Sequence, residues 1–367
     1  MSKKYSSIHY HDYLQLDKIL KSQAPKSKEL GEEAHDETLF IITHQVYELW
    51  FKEIIHDLNS VLNIYNQNVI DEKSIGIAVA RLERIICIQN ILIDQVKVIE
   101  TMTPSDFLDF RNYLLPASGF QSFQFRIVEL ALGLKKTGRI TYNQTKYQSV
   151  FTSDQQSILQ NLEDGNSLLD LLNNWLGRMP FLVHEDFNFL ESYKLAVVNM
   201  LANEKNAINS TNYLSDEEKE LRCKMLGDTD TYFATVLDPK KHNEFVEEGK
   251  LRLSYKATIA ALFITLYRDE PILRMPYLFL KCLIEIDEAF TTWRYRHAQM
   301  VLRMLGKKIG TGGSSGYDYL QKTTEKHRIF TDLHNVSTLL IPNSELPELP
   351  EGLIKKLNFF YSDSKKD

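Results

Sequence analysis

Fifteen glycines in 367 residues, with little proline–glycine punctuation, leave this chain few places to turn. From Asp36 to Leu305 apolar residues recur at helical spacing instead of alternating, so the long segments between turns must be helices and the fold all-α. The periodicity predicts helices over about 37–65, 73–101, 104–114, 119–135, 154–177, 186–206, 215–226, 254–268 and 273–305. A chain this long can bury a large single core. The stretch from about Lys136 to Lys250 is richer in Asn, Asp, Glu and Lys than its flanks and reads as a more exposed helical excursion within one domain.

Charge excludes several function classes. With 43 basic and 49 acidic residues the net charge is −6, and no basic arm or block is present, so nucleic acid is not an expected partner. The longest clearly apolar run, Ala257 to Tyr267, is far short of the roughly 20 residues a membrane span needs. The first residues lack the apolar stretch of a signal peptide, so the expected location is cytoplasmic. Cys87, Cys223 and Cys282 are odd in number and far apart, which fits reduced thiols and neither a disulfide framework nor a zinc site.

Three segments could carry chemistry. In a helix over 273–305, Trp293, His297, Met300, Val301 and Met304 share one face, while Arg294, Gln299 and Arg303 turn elsewhere. An imidazole on such a face is either a core histidine satisfied by a carbonyl or an axial ligand to a flat apolar cofactor such as haem. A second histidine, His44, lies with Phe40, Tyr47 and Phe51 on one face of a helix apolar almost all round, with Asp36 a plausible N-cap. Two histidines in buried helices make a shared polar site more plausible than either alone. The third segment, from Thr103, opens with a capping-box pattern and proline at the first helical position. Here Arg111 shares a face with Phe107, Phe110 and Leu114, so its guanidinium needs an anion, either an internal carboxylate or that of a substrate. Small residues around Ser118 and Gly119 follow, either as a tight turn or to admit a bulky planar group. The loop Gly310-Thr-Gly-Gly-Ser-Ser-Gly316 lacks the ending of a P-loop and reads as a linker or as a lid.

Together, Phe40-Ile-Ile-Thr-His-Gln-Val-Tyr-Glu-Leu-Trp-Phe-Lys52, Phe110-Arg-Asn-Tyr-Leu-Leu-Pro-Ala-Ser-Gly-Phe-Gln-Ser122, Trp293-Arg-Tyr-Arg-His297 and the glycine loop resemble the tryptophan 2,3-dioxygenase family. They stand in that family's order, over about Tyr10 to Pro342, with Arg296 and Leu115 as departures. The resemblance implies a haem enzyme that inserts both atoms of dioxygen across the indole C2–C3 bond of L-tryptophan to give N-formylkynurenine, the first step of tryptophan catabolism. It implies His297 as the ligand to ferrous haem b, with Trp293, Ser118 and Gly119 against the haem. It implies His44 as the catalytic residue at the indole N–H. Phe40, Ile41, Ile42, Thr43, Phe107, Arg111 and Thr311 would bind substrate, together with Tyr10 and Tyr13 from a neighbouring subunit.

A single all-α domain and an intertwined homotetramer follow from the same likeness. Residues 1–35 would be an arm to the neighbour, 36–135 the distal and substrate helices, 136–250 an excursion of unknown role, 251–342 the proximal helix and glycine loop, and 343–367 a tail. Dioxygen is a triplet that reacts slowly with closed-shell indole, so a cofactor is needed, and an imidazole ligand suits the task better than a thiolate. Because indole N–H is a very weak acid, His44 more plausibly orients it than removes its proton. The competing reading is a haem-bound oxygen carrier or gas sensor, which has no use for a carboxylate clamp at Arg111 and Thr311. An indoleamine dioxygenase is a narrower rival that lacks the block around His44.

Overall fold

The computed structural model describes residues 7–140, 147–306 and 316–359. Three short helices, α1 (Tyr10–Leu14), α2 (Leu16–Leu20) and α3 (Lys26–Glu29), lead into the long helices α4 (Glu37–Tyr65) and α5 (Glu72–Ile99). Next come α6 (Pro104–Arg111), α7 (Phe123–Leu132), α8 (Ser153–Asp164) and α9 (Leu168–Leu176). A hairpin of β1 (Val183–His184) and β2 (Phe187–Asn188) pairs antiparallel, Val183 opposite Asn188. The chain continues through α10 (Phe189–Ser210), α11 (Asp216–Val236), α12 (Pro239–Glu247), α13 (Tyr255–Leu266) and α14 (Pro271–Leu305). It closes with α15 (Gly316–Lys326), α16 (Thr331–Val336) and α17 (Glu351–Leu357).

The all-α expectation holds, and the differences have local causes. The helix expected over 154–177 is two, because Ser167 and Asp170 form a capping box that starts α9 afresh. The start expected near 119 is a 3-10 turn, after which Ser122 caps α7 by accepting from Phe125 N. Asp36 does not cap α4 through its side chain; its backbone is already helical. Instead the buried Glu37 carboxylate turns back to accept from Lys26 N at 2.7 Å and Ser27 N at 2.9 Å, pinning the preceding segment. The capping box at Thr103 and Asp106 is present as read. α11 runs on to Val236, and α12 and α15 to α17 carry patterns too short or too close to loops for periodicity to mark.

Apolar stripes explain the packing. α4 buries Ile54, Leu58 and Val61 against α5, which buries Leu82, Ile85 and Leu92, each such side chain contributing about 1.5–3 kcal/mol on leaving water. α13, the longest apolar run, is buried on every side at the centre of the core, and no helix among the described residues is long and apolar enough to cross a membrane. The stretch expected to be an exposed excursion is only partly so. α9 and the first half of α10 belong to the core through Leu168, Leu172, Phe189 and Tyr193, whereas the rest of α10 and most of α11 are exposed.

α14 runs along α5 and α15 and is held in register by polar contacts at several levels. Gln89 Nε2 donates to the Ile286 carbonyl at 3.2 Å, and buried Asp287 accepts from Ile329 N at 2.8 Å. Arg294 turns away from the histidine face, as read, but into protein. Its guanidinium donates to buried Glu129 of α7 at 3.1 Å and to the His327 carbonyl at 3.1 Å. Arg126 and Arg139 reach the same carboxylate at 2.7 and 2.6 Å. Burial alone would raise the Glu129 pKa, but Arg139, Arg126 and Arg294 together outweigh it and hold the carboxylate well below its usual range.

Replacing this acceptor by Glu129→Gln leaves three arginines short of a charge, so chemical denaturation should show a loss of about 3–5 kcal/mol, and a loss under 1 kcal/mol would refute the registering role. His327 accepts from Ile140 N at 3.2 Å through Nε2, so it is neutral; burial, against the pull of Glu129, pushes its pKa from 6.5 down to about 4. Its contribution is whole above pH 6.5 and is lost as pH falls to about 4, because there the unfolded chain binds a proton that the folded chain refuses. Denaturation titrations of wild type and His327→Gln should differ in slope by up to one proton in that window, and parallel curves would mean His327 does not titrate.

Candidate active site

α4 carries Phe40, His44, Tyr47 and Phe51 along one side because they fall at helical spacing. The His44 ring lies 4.1 Å from that of Phe40, and its Nδ1 is 2.7 Å from the Phe40 carbonyl. A carbonyl oxygen only accepts, so Nδ1 carries the proton and Nε2 is left with a lone pair. Protein packs densely around this imidazole while one side stays open to solvent, as expected of a group lining a cleft. Burial lowers its pKa, opposed by the Phe40 carbonyl and the charge of Glu48, so the ring is neutral near pH 7.

His297 faces the same space from α14. Burial, and then the charge of His44 when protonated, push its pKa from 6.5 down to about 4, so the two imidazoles are close enough to feel one another. Among the described residues nothing hydrogen-bonds to either His297 nitrogen, which leaves a neutral imidazole with an uncommitted lone pair. Trp293 stacks one turn earlier, 12° from parallel at 5.4 Å, and is backed by Phe125 at 5.2 Å and Tyr47 at 6.2 Å. The buried Trp293 Nε1 approaches the Tyr47 oxygen without reaching hydrogen-bond geometry, and the Tyr47 hydroxyl donates instead to the Leu92 carbonyl at 2.7 Å. Burial pushes that phenol up to about 12.

Two more elements close the space. α6 brings Phe107 to 5.8 Å from Phe40 and places Arg111, half-buried, one turn further on the same side. Phe40 and Phe107 join Met300, Met304 and Phe110 in one cluster, so the α4, α6 and α14 walls are continuous. The turn at Ser118 and Gly119 is braced by Gln121, which accepts from Ser118 N at 3.2 Å, and a side chain added at Gly119 would meet nothing within 4 Å. An apolar slot with a neutral, unpartnered imidazole on one wall and an acceptor imidazole on the other has the donor set of a haem pocket. Surface cavities of about 350 and 330 Å³ lie elsewhere and are lined by neither histidine.

Comparison with known proteins agrees with that chemistry. A family model described as tryptophan 2,3-dioxygenase matches residues 2–340. The chain belongs to the tryptophan 2,3-dioxygenase family. It is 49% identical to the tryptophan 2,3-dioxygenase of Bdellovibrio bacteriovorus over 98% of this chain and 100% of that one. To those of Alteromonas mediterranea and Dictyostelium discoideum it is 47% and 46% identical, over 98% and 97% of this chain and 99% and 89% of theirs. The family match includes the 136–250 stretch, where the motifs alone gave little likeness. Haem iron is characteristic of this family, which is one of oxidoreductases of the dioxygenase class, and a non-catalytic oxygen carrier or sensor is not favoured.

Of the residues singled out by the family's motifs, the structure brings His44, Phe40, Phe107, Arg111, Trp293 and His297 around one space, with Ser118 and Gly119 tied to it. It does not bring all of them there. Ile42 points to the opposite face of α4 and is 43% exposed, and Ile41 is half-buried. Thr43 is buried with its carbonyl accepting from Gln95 Nε2 at 3.1 Å. Tyr10 and Tyr13 are 70% and 69% exposed on α1, and Thr311 with residues 307–315 lies outside the described residues. Arg296 pairs with Glu100 at 2.9 Å, fastening α14 to the end of α5. The sequence reading gave no role to Glu48 or Tyr47, although both stand inside the quoted block at helical spacing from His44.

Proposed function

We propose that this chain uses haem b to insert both atoms of dioxygen across the C2–C3 bond of L-tryptophan, giving N-formylkynurenine, and that it works as a cytoplasmic homotetramer. The observation that carries the reading is the opposed pair of neutral imidazoles, one with both nitrogens uncommitted among the described residues and one with an acceptor lone pair. His297 would hold the haem iron through that free nitrogen, Trp293 would lie beside the ring, and Ser118 and Gly119 would leave room for it. Bound there in the ferrous state, haem supplies the spin chemistry that lets dioxygen react with a closed-shell indole.

The remaining groups bind and orient the substrate. His44 accepts the indole N–H through Nε2, a role its tautomer supports, and it stays a positioning acceptor because indole is too weak an acid to give its proton to a neutral imidazole. Phe40 and Phe107, packed against each other, line one side of the indole and exclude water, while Arg111, with Thr311 from the glycine loop, holds the charged amino-acid end so that C2 and C3 stay aligned. Ile41, Ile42 and Thr43 would act by shaping this stretch of α4. Exposed Tyr10 and Tyr13 on α1 support a contact with a neighbouring subunit, and the free thiols of Cys87, Cys223 and Cys282 suit a reducing compartment.

Purified with haem supplied, then reduced in air with L-tryptophan, the protein should form N-formylkynurenine. A haem spectrum without product would return the reading to a carrier or sensor. His297→Ala should lose the histidine-ligated absorption spectrum with little change in the apoprotein's melting temperature, and an unaltered spectrum would reassign the iron ligand. Arg111→Lys should lower kcat/KM roughly ten- to hundredfold by losing a bidentate, charge-assisted contact, with haem content intact. Equal loss of haem would instead mean that Arg111 supports the fold.

A further inference from the structure

Glu48 stands one turn beyond His44, and its carboxylate is gripped by the segment that follows the Ser118–Gly119 turn. Ser122 Oγ donates to Oε1 at 2.6 Å, and Gln124 Nε2 donates to Oε2 at 2.9 Å and to the Glu48 carbonyl at 2.7 Å. Ser122 is also the cap of α7, accepting from Phe125 N at 3.3 Å, and its neighbour Gln121 braces Ser118. The turn is thus hung between its own brace and a latch on α4. On the other side of that latch the His44 ring is fixed by the carbonyl of Phe40, one turn back.

Packing alone does not require a carboxylate at this position. α4 and α7 already meet through Phe51 and Phe125, with rings 5.3 Å apart, and among the described residues no lysine or arginine pairs with Glu48. A half-buried carboxylate served only by neutral donors carries a desolvation cost that an apolar residue would avoid. What it provides is a two-point acceptor that sets how far the turn lies from the helix bearing His44.

We infer that Glu48 is a positioning residue: by latching Ser122 and Gln124 it fixes the gap between His44 and the Ser118–Gly119 turn, and so where the indole N–H is received. This inference rests on the proposed role of His44 and is tested apart from it. The probes are L-tryptophan and its analogue with sulfur in place of the indole N–H, titrated into the ferric holoenzyme without turnover and followed by haem absorption. Wild type should bind tryptophan roughly tenfold or more tighter than the analogue, because the analogue leaves the Nε2 lone pair unmet.

E48A should keep its haem and its melting temperature, bring that ratio close to one, and lower kcat/KM for tryptophan roughly ten- to hundredfold. E48Q, which keeps an acceptor for Ser122, should recover most of the ratio. S122A, which leaves the charge in place, should move in the direction of E48A, and it decides the matter if E48A does not fold. A ratio in E48A, or in S122A where E48A does not fold, equal to that of wild type overturns the role of Glu48 while leaving His44 in place. A wild-type ratio of one overturns the role of His44 and the inference with it.

Discussion

Glu129 is the contact on which the rest of the arrangement depends. From the middle of α7 it accepts from Arg126 on its own helix, Arg139 beyond it and Arg294 on α14, while Arg294 also holds the His327 carbonyl ahead of α16. A buried ion cluster contributes little net stability over an apolar core of the same volume, but its directional bonds have few alternative registers. Sliding α14 by one residue would rotate His297 by about 100° and strand an uncompensated guanidinium in the core. Glu129 thereby converts the loose fit of apolar stripes into one orientation for the His297 face.

The same burial that anchors α14 sets the chemistry of the cleft. A histidine in water is partly protonated near neutral pH and cannot offer a lone pair in every molecule. Here, the protein packed around each ring lowers both His44, which keeps one side open to solvent, and His297, and a proton on the first further disfavours one on the second. Glu48 and the Phe40 carbonyl pull the other way at His44 alone. The pair is therefore neutral but unequal: among the described residues His297 has no hydrogen-bond partner, and His44 is held in one tautomer by the Phe40 carbonyl, which leaves Nε2 as its acceptor.

Much of the fold was legible before any coordinates. The long helices α4, α5, α13 and α14 follow apolar periodicity over many turns, and the cap at Thr103 follows a local pattern of four residues. What escaped was what depends on one local hydrogen bond or a short span: the break at Ser167, the missing cap at Asp36, and short helices beside loops. At the site, the faces of His44 and His297 could be read because helical spacing alone decides which residues point together. The burial of Arg294 could not, because an arginine off the apolar face looks solvated until its carboxylate, distant in sequence, is in place.

The sequence by itself determined the all-α class, the two histidine faces, the aromatic neighbours of each, and four ordered blocks that mark the family. These are properties of spacing along single helices and need no partner. Only the tertiary structure decided that α4 and α14 turn their histidines to one space and that Glu129 gathers three arginines. It alone decided that Glu48 is tied to Ser122 and Gln124. Apart from Arg126, which sits on the same helix as Glu129, each joins residues from separate elements of the chain, and the free energy that selects it comes from desolvation and hydrogen-bond direction, which exist only once the helices have packed.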